Sequence, residues 1–203
     1  MEIKIENYNL QFELVEFEVL DYNLSNLFNQ IKTNKSITEE IRKVRYKGVY
    51  HNFLQEQPEI INRFKIGEYI MHLKTNCDER YRLLLNNSGD RNFCKFRIEN
   101  YHTQKGIYCF SLNDEIKYFG KAVAKGGFSK RINSGYGNIS PYKTTLNGNS
   151  TNCHINSLFN EYNTQIKIYM CQLNNLSNLD IENLESNLIR GYNTRIVGWN
   201  RRI

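Results

Sequence analysis

Residues 106–120 constrain the fold more than any other stretch. Gly106-Ile107-Tyr108-Cys109-Phe110-Ser111-Leu112 is an apolar, aromatic-rich run suited to a strand, and Asn113, Asp114 and Glu115 make a polar turn. Ile116-Lys117-Tyr118-Phe119 reads as a second strand ending at Gly120, so the whole predicts a hairpin. A helix over about 127–134 follows, stopped by Gly135, and then a loop over 135–151 rich in Gly, Ser, Asn and Pro141. A helix over 153–162 places Ile155, Leu158, Phe159 and Tyr162 on one face. A strand over 166–173 and a helix over 179–191 complete a β-β-α-α-β-α order, which is the α+β class.

The first hundred residues read as mixed but largely helical. Residues 8–19 alternate apolar and polar, a strand signal. Leu24, Leu27, Phe28 and Ile31 recur at helical spacing. Ser36 is placed to cap a helix, with Glu39 at the capping-box position. Pro58 opens a further helix through Ile60, Ile61 and Phe64, and residues 79–85 predict a short helix before the turn at 86–89. This half carries no catalytic motif. The expected division is therefore an accessory domain at 1–100, for dimerisation, specificity or partner docking, and a chemical domain at 101–203.

Charge separates the halves as well. Residues 1–100 hold fifteen Lys+Arg and fifteen Asp+Glu, while residues 101–203 hold twelve and six, so the net charge of +6 arises in the second half. A polyanionic partner, nucleic acid first of all, follows as an expectation for that half. Hydrophobic content of 40% exceeds what a disordered chain carries. The five cysteines include no Cys-x-x-Cys pair, which fits reduced thiols in a cytoplasmic protein. No apolar run of membrane-spanning length occurs and the first residues lack a signal-peptide pattern, so neither membrane insertion nor export is expected.

Gly106-Ile107-Tyr108, followed by Tyr118-Phe119-Gly120, resembles the paired signatures of the GIY-YIG nucleases, with Phe119 in place of the isoleucine. Arg131 stands where that family places its arginine, His154 where many members carry a histidine, Glu185 at the metal-binding glutamate and Asn200 at a late asparagine. The similarity covers about residues 105–202 and extends to phage and restriction endonucleases built on the same module. It implies a small antiparallel or mixed sheet flanked by helices, and a metal-dependent endonuclease.

What the resemblance implies can be set beside the residues. Glu185 interrupts the apolar stripe of Ile181, Leu184, Leu188, Ile189 and Tyr192, while Glu182 is expected to point elsewhere. A carboxylate on such a face must be protonated, paired with a cation or bound to metal. The resemblance favours one Mg²⁺ or Mn²⁺ ion on Glu185, stabilising the leaving oxygen. Tyr108 would orient or deprotonate the attacking water, and Tyr118 would bind the scissile phosphate or complete the proton path. Arg131 would stabilise developing charge, and His154 would contact phosphate or relay a proton. Lys121 and Asn200 are supporting residues, as is Tyr136, which follows Gly135 at the place of a frequent family histidine. Lys130, Lys143, Arg195, Arg201 and Arg202 are the expected nucleic-acid contacts, with loop 135–151.

A shared site requires both motif tyrosines on one sheet face. An odd hairpin loop of three or five residues would set Tyr108 directly opposite Tyr118, and an even loop would part them; the odd loop is expected. Double-stranded DNA is the expected substrate, cut by a homodimer or higher oligomer if both strands are cleaved. An RNA or single-strand nuclease acting as a toxin is the second reading. A silent nucleic-acid- or protein-binding module is the third.

Overall fold

The computed structural model describes residues 1–53 and 62–201, and it is a mixed α+β protein with antiparallel sheets and several helices. Its strands are β1 (Glu2–Ile5), β2 (Tyr8–Gln11), β3 (Glu13–Val15), β4 (Phe17–Leu24), β5 (Phe93–Ile98), β6 (Gly106–Leu112), β7 (Glu115–Ala122) and β8 (Ile166–Gln172). Its helices are α1 (Ile37–Ile41), α2 (Ile66–Thr75), α3 (Gly127–Ser129), α4 (Ser150–Tyr162) and α5 (Asn178–Gly191), with a π-helix over Lys130–Tyr136 directly after α3. No helix among the described residues is long and apolar enough to cross a membrane.

Two compact units form, and they cut across the division expected at residue 100. One comprises Met1–Tyr22, Cys94–Asn138 and Leu158–Ile203, the other Asn23–Phe93 and Ile139–Ser157. The alternation over residues 8–19 becomes three strands because successive pieces change partners. β2 pairs with β1, β3 with β8 and β4 with β5. The N-terminal strands thus build the same unit as the hairpin.

That first unit is organised by a sheet of order β3-β8-β6-β7, antiparallel throughout. On one face Ile107, Cys109, Phe119 and Cys171 pack with Ile3, Leu10, Phe12 and the α5 residues Ile181, Leu184, Leu188 and Ile189. Alternation sends Tyr108, Phe110 and Tyr118 to the other face. There Phe110 meets Tyr118, Tyr136 and Phe159 ring to ring.

The second unit has its own core of Phe28, Ile31, Ile37, Ile41, Tyr46, Ile66, Tyr69, Ile70 and Leu84. Ser36 and Glu39 form the expected capping box, which starts α1. The helical spacing from Leu24 yields only a 3-10 turn over Leu27–Gln30. The helix expected to open at Pro58, through Ile60 and Ile61, lies outside the described residues. Most of loop 135–151 is ordered by this unit. A 3-10 turn spans Pro141–Thr144, and Asn86 donates from Nδ2 to the carbonyls of Lys143 and Thr145.

Candidate functional site

The hairpin reaches a shared tyrosine face by a different route from the one expected. Its loop is even: Leu112 pairs with Glu115 across Asn113 and Asp114, whose φ values of 51° and 66° make a primed turn that matches strand twist. An even loop alone would part the tyrosines. Ser111 pairs with Ile116, however, and Phe110 with Tyr118, so Lys117 is a one-residue bulge that restores parity. Tyr108 pairs with Gly120, which leaves the two tyrosines diagonal on one face rather than directly opposite. The bulge is held by the C-terminal tail, where Trp199 N donates to the Lys117 carbonyl at 2.6 Å.

Both motif glycines are explained by close approach. A Cβ on Gly120 would lie 2.3 Å from the Tyr108 hydroxyl oxygen and 2.4 Å from Cζ, so the Tyr108 ring lies flat on the glycine. A Cβ on Gly106, at φ 153°, would lie 2.0 Å from the Cys171 carbonyl oxygen on β8.

Four polar groups converge above this face. Arg131 donates from Nε to the Tyr108 hydroxyl at 3.0 Å and from Nη2 to the Tyr136 hydroxyl at 2.7 Å. The Tyr136 hydroxyl also lies 2.9 Å from the hydroxyls of both Tyr108 and Tyr118. The Tyr136 hydroxyl thus meets all three of the other polar groups at once. The Arg131 guanidinium also sits 4.8 Å from the centroid of the Tyr136 ring. Tyr136 is thus the hub, a stronger position than the supporting one expected of it. The π-helix makes this possible. Residues five apart diverge on an α-helix, whereas the wider π turn brings Arg131 and Tyr136 together, and Gly135 does not end the helix.

Tyr136→Phe would strand Arg131 Nη2 and break the link between the motif phenols. It is expected to cost about 1–3 kcal/mol, as loss of a partner from buried polar groups does. Chemical denaturation measures it, and an unchanged midpoint would show that the hydroxyl chain carries no stability.

Burial pushes the pKa of all three phenols above its ordinary value, and the Arg131 charge pulls the other way without reversing it. Burial works against the charge of Arg131 too, but the oxygens of Tyr108, Tyr136 and Tyr118 outweigh it and raise its pKa. At neutral pH the set is therefore three neutral phenols and one guanidinium. Such a phenol keeps its proton, which suits Tyr108 to orienting a neighbour and not to deprotonating water.

Lys121 and Glu185 belong to the opposite sheet face, since Lys121 shares the alternation of Phe119. Ser177 and Asp180 cap α5 reciprocally, which sets Glu185 at the edge of the stripe formed by Ile181, Leu184 and Leu188. Of the three states open to it, the carboxylate takes the ion pair: Lys121 Nζ is 3.1 Å from Glu185 Oε2. Glu182 does not point elsewhere, because its Oε1 lies 3.4 Å from the same Nζ. Burial raises the Glu185 pKa, while Lys121 and Arg131 lower it without cancelling the rise. Glu185 in turn raises Tyr118, so the two halves of the site feel each other electrostatically around edge strand β7.

The donor chemistry admits a hard divalent ion at Glu185, where one half-buried carboxylate would leave most positions to water and phosphate oxygens. No group of three or more His, Cys, Asp or Glu side chains able to hold a metal occurs among the described residues. Asn200 is buried and grips β7: its Oδ1 accepts from Phe119 N at 2.9 Å and Thr194 Oγ1 at 2.9 Å, and its Nδ2 donates to the Phe119 carbonyl at 2.8 Å. Lys130, Arg195 and Arg201 are exposed in this unit, and Arg202 lies outside the described residues. Lys143 is half-buried and His154 half-buried on α4, both in the second unit. The five cysteines are free thiols. No protein-family model, curated protein or solved structure matches the chain.

Proposed function

We propose that the chain is a divalent-metal-dependent endonuclease of the GIY-YIG type that hydrolyses phosphodiester bonds in double-stranded DNA. The observation that carries this reading is the forked Arg131, held by Tyr108 and Tyr136 beside Tyr118. The nuclease module is then the whole first unit, β1–β3 included.

Arg131 meets the charge that develops on the phosphorus oxygens, since its fork is fixed before substrate arrives. Tyr118 and Tyr108 are neutral donors that hold phosphate and water in line. Glu185 would hold Mg²⁺ or Mn²⁺, which would supply charge stabilisation for the leaving oxygen when bound. Lys130, Arg195 and Arg201 contact the backbone outside the reacting group. Cutting both strands at one site calls for a homodimer.

Incubation of plasmid DNA with the protein and Mg²⁺, beside Glu185→Gln, tests this directly. Cleavage by the first and not the second is the expected result, and equal inactivity on duplex DNA overturns it. The pH dependence has a fixed sign. Cation binding needs ionised Glu185, whose pKa lies above the ordinary value of 4.5 because of burial. Mn²⁺ binding and cleavage should therefore fade on the acid side at a pH above that value. Because a bound cation itself favours the ionised form, the affinity is read at Mn²⁺ concentrations far below saturation, where a midpoint at or below 4.5 would show that burial does not govern the group.

A further inference from the structure

Lys121 stands between two carboxylates of α5 that differ in exposure. Its Nζ is 3.1 Å from Glu185 Oε2 and 3.4 Å from Glu182 Oε1. The Glu185 side chain is 16% exposed and that of Glu182 45%, with Lys121 between them at 32%. Glu182 precedes Glu185 by three residues, one helix turn, so both reach the same ammonium. A half-buried carboxylate that stays ionised inside an apolar stripe needs a positive partner. Without a bound cation, Lys121 is that partner. A divalent cation on Glu185 would place two positive charges beside a third, and the two cations would repel at close range.

We propose that Lys121 is a two-position counter-ion, holding Glu185 in the cation-free protein and passing to Glu182 when a divalent cation occupies Glu185. The lysine stem is long and flexible, and its ammonium is a point charge that needs no fixed angle, so the transfer requires little more than rotamer change. Glu182 is the more solvated of the two acids, which makes it the weaker partner without a cation and the available one with it. Lys121 is a positioning residue here: it keeps Glu185 charge-balanced when no cation is bound and passes to Glu182 on loading. This inference rests on the metal reading of Glu185 given above.

The test is Mn²⁺ affinity of the full chain without DNA, read by the electron paramagnetic resonance signal of free Mn²⁺, in a double-mutant cycle. Lys121→Met should tighten binding by removing the competitor. Glu182→Gln should weaken binding about tenfold when Lys121 is present, and by less than about twofold in the Lys121→Met background, because only the lysine needs that second partner. Thermal melting of each variant confirms that it is folded. If Glu182→Gln weakens Mn²⁺ binding equally in both backgrounds, Glu182 acts through its general field or as a ligand, and the transfer is overturned while the metal reading stands. If the unaltered protein binds no Mn²⁺, or Glu185→Gln binds it as well, the metal reading falls and the transfer with it.

Discussion

Gly120→Ala is expected to destabilise the protein by about 3 kcal/mol, the upper range of overpacking a filled core. The added methyl would meet the Tyr108 ring at Cε2, Cζ and the hydroxyl, all within 2.7 Å. A flexible side chain would swing aside, but Tyr108 has no such freedom. Its ring is fully buried against Phe110, Tyr118 and Phe128, and its hydroxyl is tied to Arg131 and Tyr136. Any relief therefore dismantles the cluster, and cleavage should disappear along with stability. Gly191→Ala is the matched control. A Cβ there meets nothing within 4 Å, at the end of α5, so helix propensity alone predicts a gain of about 0.5–1 kcal/mol. Urea denaturation of both variants decides the matter. A Gly120→Ala loss below about 0.5 kcal/mol would show that the Tyr108 ring is not pinned.

Arg131→Lys should lower the rate of DNA cleavage by about a hundredfold, as removal of one charge-stabilising donor does. The substitution keeps a positive charge. It loses the fork that serves Tyr108 through Nε and Tyr136 through Nη2 at once, and the flat contact over the Tyr136 ring. The effect should fall on the rate at saturating DNA, since exposed cations such as Lys130 and Arg195 remain for binding. Single-turnover cleavage separates the two. A rate within about threefold of the unaltered protein would mean that charge alone suffices and that the fork has no catalytic part.

Much of the fold was legible in local patterns. The hairpin, the helix carrying Phe159, strand β8 and helix α5 all lie where periodicity and turn residues put them. The Ser36–Glu39 cap was readable because both its bonds run between residues three apart. Other elements gave no such signal. β5 buries Phe93, Phe96 and Ile98 but sits among polar turns, and α2 opens at Ile66 without a conventional capping side chain. The site divided along the same line. Tyr108, Tyr118, Arg131 and Glu185 stand out in the sequence, while the central role of Tyr136 depends on a π turn that no periodicity announces. The attachment of β3 to the hairpin's sheet depends on pairing across more than a hundred and fifty residues, as in Val15 with Ile168.

Residues 106–120 show where the boundary falls. Residue type and alternation alone determined that two strands would form there, that a polar turn within Asn113–Glu115 would join them, and that an apolar stripe on α5 would carry one acid out of character. These follow from backbone geometry repeating over a few residues. The tertiary structure decided the rest. A two-residue turn and a bulge at Lys117, its carbonyl satisfied by Trp199, together set which face each tyrosine takes. A one-residue shift in pairing inverts every side chain beyond it, so parity is set by distant partners and not by the strand itself. The same holds for Glu185, whose place on the stripe was local but whose choice of Lys121 over any other counter-charge came from the approach of β7 to α5.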